Sequence, residues 1–182
     1  MSTAYKIRDP EGIYFVTFTV VGWIDIFSRK IYCDLILDNL KYCQQNKGLI
    51  IHAWVLMTNH IHLIVSAGTE PLLAEIIRDF KKYTSREIIK LIETEKESRK
   101  EWMLSYFTWK GQTNPNTTKH QFWIHDSHPI PLYNNEVMQQ KIDYIHHNPV
   151  RAGFVDEPQH WRYSSSKNYK GEKGLLDLKL IE

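Results

Sequence analysis

Leu49–Ser66 reads LIIHAWVLMTNHIHLIVS. Two runs of β-branched and aliphatic residues flank Thr58-Asn59, the pattern of a buried strand pair with its turn on those two polar residues. Strand alternation puts Ile61, Leu63 and Val65 on one face of the second run and His60, His62 and Ile64 on the other. His60 and His62 therefore point the same way, about 7 Å apart at the backbone, a spacing that lets both bind one cation. Two unpaired imidazoles are costly to bury in an apolar strand, which raises the case for a metal site above that of a chance His-x-His.

Upstream, Ile13–Trp23 (IYFVTFTVVGW) is a second strand, with Phe15, Thr17 and Thr19 alternating against Val16, Phe18 and Val20. Ser28 suits the N-cap of a helix reaching about Asn46, striped by Ile31, Leu35, Leu37, Leu40 and Tyr42 and ended by Lys47-Gly48. Downstream of the strand pair, Pro71 opens a long helix to about Glu95, with Ile76, Phe80, Ile88 and Ile92 among its inward residues. Strand, helix, strand, strand, helix is most of an α+β, ferredoxin-like βαββαβ sheet with helices on one face. The fourth strand has two candidates, Trp102–Trp109 and Gln121–Ile124, separated by the polar loop Gly111–His120. The charges over Glu93–Glu101 read as a fraying helix end rather than a domain boundary. Asn134–His147 is a further helix that Asn148-Pro149 would end.

The chain of 182 residues reads as one domain over 1–182, with an irregular tail from about residue 153. Its 23 Lys and Arg against 21 Asp and Glu leave a net charge of only +2, so any nucleic-acid surface must be local. Cys33 and Cys43 form no CxxC and read as reduced thiols. With no signal peptide and no apolar run long enough to span a membrane, the expectation is a cytoplasmic protein, nucleoid-associated when bound to DNA.

The second informative stretch is Lys141–Val155, KIDYIHHNPVRAGFV. Tyr144 falls late on a helix, and Asn148 lies one turn further on the same side. A phenol beside a divalent cation can attack phosphorus to form a phosphotyrosine. The Asn148 carbonyl oxygen could complete a site begun by His60 and His62, and such a donor set suits Mg²⁺ or Mn²⁺. The bland reading has Tyr144 packed under the sheet and Asn148 capping its helix.

NHIHLIV followed about eighty residues later by YIHHNPVRAGFV in a short βαββα chain closely resembles the REP-associated tyrosine transposases, in the insertion-sequence-200-like branch of the HUH nucleases. The likeness covers most of the chain. Trp54–Val65 looks like the family's strand pair, Phe122–Pro131 like the loop before its tyrosine helix, and Trp161–Ser165 (WRYSS) also has the family's look. The resemblance implies that His60 and His62 are metal ligands and Tyr144 the nucleophile, with Asn148 a contributor to the metal site ahead of His147. The implied reaction is metal-dependent cleavage and rejoining of single-stranded DNA, at or near hairpins, through a 5′-phosphotyrosine. Relatives differ in whether the tyrosine helix completes its own site or a partner's, so a homodimer with shared sites stays open.

His146 reads as a surface residue and His52 as a satisfied histidine. Arg78, Lys81, Lys82 and Arg86 on the long helix, and Arg151 beyond the tyrosine helix, are candidate DNA-backbone contacts. Tyr83, Trp109 and Trp123 could stack unpaired bases. Two rivals remain at this level: a domesticated relative that binds DNA structures without cleaving them, and a metal-dependent phosphodiester hydrolase in which water attacks. The presence of His60, His62 and Tyr144 together favours the transposase.

Overall fold

A computed structural model describes residues 7, 9–68, 70–114, 119–125 and 128–181. Strand β1 (Tyr14–Thr19) leads through two short turns into helix α1 (Lys30–Lys47). Gly48, at φ 66°, ends α1 in the left-handed region and returns its N–H to the Cys43 carbonyl. The hairpin β2 (Leu49–Leu56) and β3 (His60–Ala67) follows. Its turn is at Thr58-Asn59 as the sequence predicts, closed by the Met57 N–H on the His60 carbonyl at 2.8 Å. Then come α2 (Leu73–Thr94), α3 (Lys100–Gln112), β4 (Ile130–Pro131), α4 (Asn135–Arg151) and a short α5 (Ser166–Tyr169).

The sheet runs in the order β2-β3-β1-β4 with every pairing antiparallel, so β3 and its two histidines are central. Alternation sorts its side chains as expected. Val16, Phe18, Ile61, Leu63 and Val65 form one core with α1 and α2, built on residues such as Ile36, Leu40, Ile76 and Phe80. Phe15, Ala53, Val55 and Ile64 form a second core with Met138, Ile142 and Ile145 of α4. Those three α4 residues recur at helical spacing, so burying them fixes which side of α4 meets the sheet. Each fully buried isoleucine contributes about 1.5–3 kcal/mol.

The α+β class holds, with several boundaries moved. The fourth strand is only Ile130–Pro131, beside β1. Trp102–Trp109 lies within α3, whose buried residues Met103, Phe107 and Gly111 recur every fourth position rather than every second. Gln121–Ile124 supplies only an isolated bridge, Trp123 to Val20. Glu93–Glu101 holds the break between α2 and α3 rather than a frayed end. The first strand stops at Thr19, where the chain turns through Val21–Trp23. Arg29, not Ser28, is the N-cap of α1, and α2 starts two residues after Pro71. Pro149 does not end α4: it is buried within the helix, and packing there outweighs the lost hydrogen bond. The polar loop expected at 111–120 begins after α3, and its residues 115–118 lie outside the described residues.

The tail is less irregular than the sequence suggests. It lies along β2, with the Leu56 N–H on the Tyr163 carbonyl and the Lys179 N–H on the Ile51 carbonyl, so an edge open to pairing is covered. Ser165, fully buried, accepts from the Trp54 N–H through Oγ and pairs with His146 Nε2 at 2.8 Å. Trp161 Nε1 donates to the Leu56 carbonyl. The WRYSS element therefore fastens α4 to the sheet. Among the described residues no helix is long and apolar enough to cross a membrane.

Candidate active site

His60 and His62 project from the centre of the sheet on the α4 side, with ring centroids 4.7 Å apart. The β1–β3 register sets Thr17 opposite His62, and Thr17 Oγ1 lies 2.7 Å from His62 Nδ1. His60 Nδ1 donates to Asn59 Oδ1 at 2.6 Å. Each ring thus engages through Nδ1, which orients it and leaves Nε2 as the nitrogen for a metal. Burial lowers His60 to about 4. Burial, and then the charges of His60 and Lys141, lower His62 to about 3. At neutral pH both imidazoles are uncharged, the state a metal ligand needs.

Helix α4 brings Tyr144 over this pair. Its ring centroid is 5.3 Å from that of His62 and 6.1 Å from that of Phe15, edge-on to both, and the side chain stays 37% exposed. The ring packs on the sheet with one flank open to solvent. Two cations attend it: Lys141 Nζ at 5.6 Å and the Arg151 guanidinium carbon at 5.5 Å from the ring centre.

Asn148 is half-buried one turn beyond Tyr144, on the same helix. His147 is exposed, and its Nδ1 bonds the Asp143 carbonyl of its own helix. Among the described residues no three His, Cys, Asp or Glu side chains come together as a metal-ligand group. The two neutral, oriented imidazoles fit a pair of metal ligands whose remaining donors would be oxygens.

Other candidates fall elsewhere. Arg78, Lys81, Lys82 and Arg86 lie on α2, which packs on the opposite side of the sheet from the histidines. Arg78 pairs with Asp79, Arg86 with Glu87, and Lys81 donates to the Ile124 carbonyl. Trp123 is buried with its indole N–H on Thr84 Oγ1, which removes it as a stacking surface, whereas Tyr83 and Trp109 are exposed. His52 is satisfied as expected, between the Lys179 carbonyl and Ser66 Oγ. His146 is not a surface residue: it is buried against Ser165. The sequence reading passed over Thr17, Asn59 and Lys141. Two of them had a signal, Thr17 in sharing the Phe15 face and Lys141 in preceding Tyr144 by one helical turn.

His146 and His52 add to the acid response that the buried His60 and His62 give the metal-free protein. Burial lowers both, His146 to about 4, from an ordinary value of 6.5. Above pH 6.5 both states leave them neutral and stability is unaffected. Below it the unfolded chain takes up protons that the folded chain refuses, so stability falls, by about 2 kcal/mol at pH 5 for His146 alone. In chelator, the denaturation midpoint should drop between pH 7 and pH 5, and His146→Gln should make that drop shallower while His60 and His62 keep the rest of it. Equal slopes in the two proteins would remove His146 as a contributor.

The family model described as transposase IS200-like matches residues 25–126, more than half of the chain, and the chain belongs to that family of DNA transposases. The match includes His60 and His62 and ends before Tyr144. Comparison with curated protein sequences returns no match. The fold is similar to that of a solved REP-associated tyrosine transposase bound to a REP hairpin, with a TM-score of 0.67 at 16% identity over 100% of this chain and 94% of that one. A solved transposase structure from Deinococcus radiodurans overlaps more loosely, with a TM-score of 0.41 at 14% identity over 72% of this chain and 87% of that one.

Proposed function

We propose that this chain cleaves and rejoins single-stranded DNA at or near hairpins, with Tyr144 as nucleophile and His60, His62 and Asn148 as the protein ligands of Mg²⁺ or Mn²⁺. The observation that carries the reading is the placement of a partly exposed tyrosine ring 5.3 Å from one member of a paired, neutral histidine set. The hairpin bound to the structural neighbour supports hairpin DNA as the substrate class. When bound, the metal would draw charge from the non-bridging phosphate oxygens and orient the phosphate.

The chain's own residues do the rest. Arg151 and Lys141 flank the ring and favour an anionic phosphate in front of it. The Tyr144 oxygen forms a bond to phosphorus as the bond from phosphorus to the 3′ oxygen breaks. The phenol gives up one proton and the leaving oxygen takes one up, leaving a 5′-phosphotyrosine and a free 3′-OH. Because the phosphodiester is exchanged rather than hydrolysed, a 3′-OH can reverse the step with no nucleotide triphosphate. Thr17 and Asn59 hold the imidazoles in register, and the WRYSS element holds α4 against the sheet through His146.

Incubation with labelled single-stranded hairpin DNA and Mn²⁺ or Mg²⁺ should give a slow, denaturant-resistant protein–DNA band that chelator abolishes. Cleavage without such a band would assign the site to a hydrolase. Binding across a broad hairpin set with neither cleavage nor band would assign it to a non-cleaving binder.

A further inference from the structure

Trp102, Tyr106 and Trp109 recur along α3 at spacings of four and three, which places them on one side of the helix. Met103 and Phe107 occupy the core side, Trp102 and Trp109 face outward at 55% and 52% exposed, and Tyr106 between them is half-buried against the core. Neighbouring ring centroids are 6.2 and 5.6 Å apart. Lys110 Nζ lies 4.6 Å from the centre of the Trp109 ring. The row is continuous with the Val21–Trp23 turn. A Cβ on Gly22 would come within 2.6–2.7 Å of the Tyr106 ring, so only glycine permits the approach. The next residue, Trp23, is 63% exposed and has φ 55°. Its ring stands edge-on to His60 at 6.2 Å. Its carbonyl accepts from Asn59 Nδ2, and Asn59 Oδ1 accepts from His60 Nδ1. Three α3 rings, the Gly22 backbone on which Tyr106 packs and the Trp23 ring beside His60 therefore follow one another toward the histidine pair.

A tryptophan in left-handed backbone and largely in water is unfavourable on both counts, and backbone of that kind clusters at functional sites. A patch of exposed rings with a cation at its far end marks a binding surface rather than folding core. We propose that Trp23, Trp102, Tyr106 and Trp109 form a stacking track for unpaired bases of the DNA strand that runs to Tyr144, with Lys110 facing the backbone phosphates. Every base offers an aromatic face, so such a track holds a strand without reading its sequence. The Trp23–His60 contact favours DNA over a second copy of the chain as the occupant, since a strand lying along the rings leads to the histidine pair. The destination of the strand rests on the cleavage reading above; the track itself rests on the rings.

The test is fluorescence anisotropy with labelled oligothymidylate, which forms no hairpin, and with a blunt duplex of matched length. Trp102→Ala, Trp109→Ala and Trp23→Gly should each weaken oligothymidylate binding about tenfold while leaving duplex binding near wild type. Trp102 and Trp109 are exposed and remote from the histidines, so their variants should melt with the wild type. Ring variants with unaltered oligothymidylate affinity would overturn the track, even if the covalent adduct forms. A dimer in sedimentation that Trp102→Ala makes monomeric, with DNA affinity unchanged, would give the row to a second copy. Absence of any adduct while the rings still govern single-strand binding would overturn the cleavage reading and leave the track standing.

Discussion

Tyr144→Phe is expected to abolish the covalent protein–DNA band, with DNA cleavage falling by about 10⁴-fold or more, while hairpin affinity stays close to wild type. The substitution removes one oxygen and keeps the ring. The ring's neighbours are Phe15, His62, Lys141 and Arg151, at 5.3–6.1 Å from its centre, and none of these contacts needs the hydroxyl. The 37% exposure of Tyr144 also means that no large polar group is newly buried or left unpaired. Stability should therefore change little, and a lost adduct can be read as lost chemistry. The two halves of the result bear on different rivals. If the band disappears but cleavage persists, water attacks and the tyrosine is a bystander. If cleavage and band both persist, another nucleophile carries the reaction, and the proximity of Tyr144 to the histidines has no catalytic meaning.

The histidine pair was legible in the sequence because strand alternation depends only on local geometry. Ile64 beside His60 and His62 on one face, and Ile61, Leu63 and Val65 on the other, follow from a period of two whatever the sheet packs against. The approach of Tyr144 to that face was not legible from spacing. It depends on α4 crossing the sheet on the side opposite α1 and α2, a long-range choice made by Met138, Ile142 and Ile145 meeting Phe15, Val55 and Ile64. Only the resemblance to a transposase family joined the two stretches beforehand. Two of the errors have a common cause. Tertiary contacts rescued or displaced a local signal at Pro149, which burial keeps inside α4, and at His146, which Ser165 draws into the interior. Trp102–Trp109 is a different case: the four-residue recurrence of Met103, Phe107 and Gly111 was a local signal for a helix. The basic residues of α2 show the limit of reading charge without a fold: the run is real, and the sheet separates it from the histidines.

His62→Ala should reduce Mn²⁺ affinity at least about 100-fold and, with it, metal-dependent adduct formation. On the central strand His62 is almost fully buried, stacked on Phe15 at 5.3 Å and bonded to Thr17 through Nδ1. Alanine removes one of two nitrogen donors and leaves His60 with oxygen donors alone, a set that holds a divalent cation weakly. It also leaves a cavity beneath Phe15, so some stability is lost as well, and an activity assay by itself could not separate the two effects. Thr17→Val separates them. It keeps both imidazoles and nearly the same volume, and removes only the hydroxyl that orients His62, so Mn²⁺ affinity should fall about 10- to 100-fold in a folded protein. Calorimetric titration with Mn²⁺, beside a thermal melt of each metal-free variant, reads both quantities. A graded series, with wild type tightest, Thr17→Val intermediate and His62→Ala weakest, is what a His60–His62 metal site oriented by its neighbouring strand requires. Equal Mn²⁺ affinity in all three proteins would place the metal elsewhere and reduce the pair to a structural feature of the sheet.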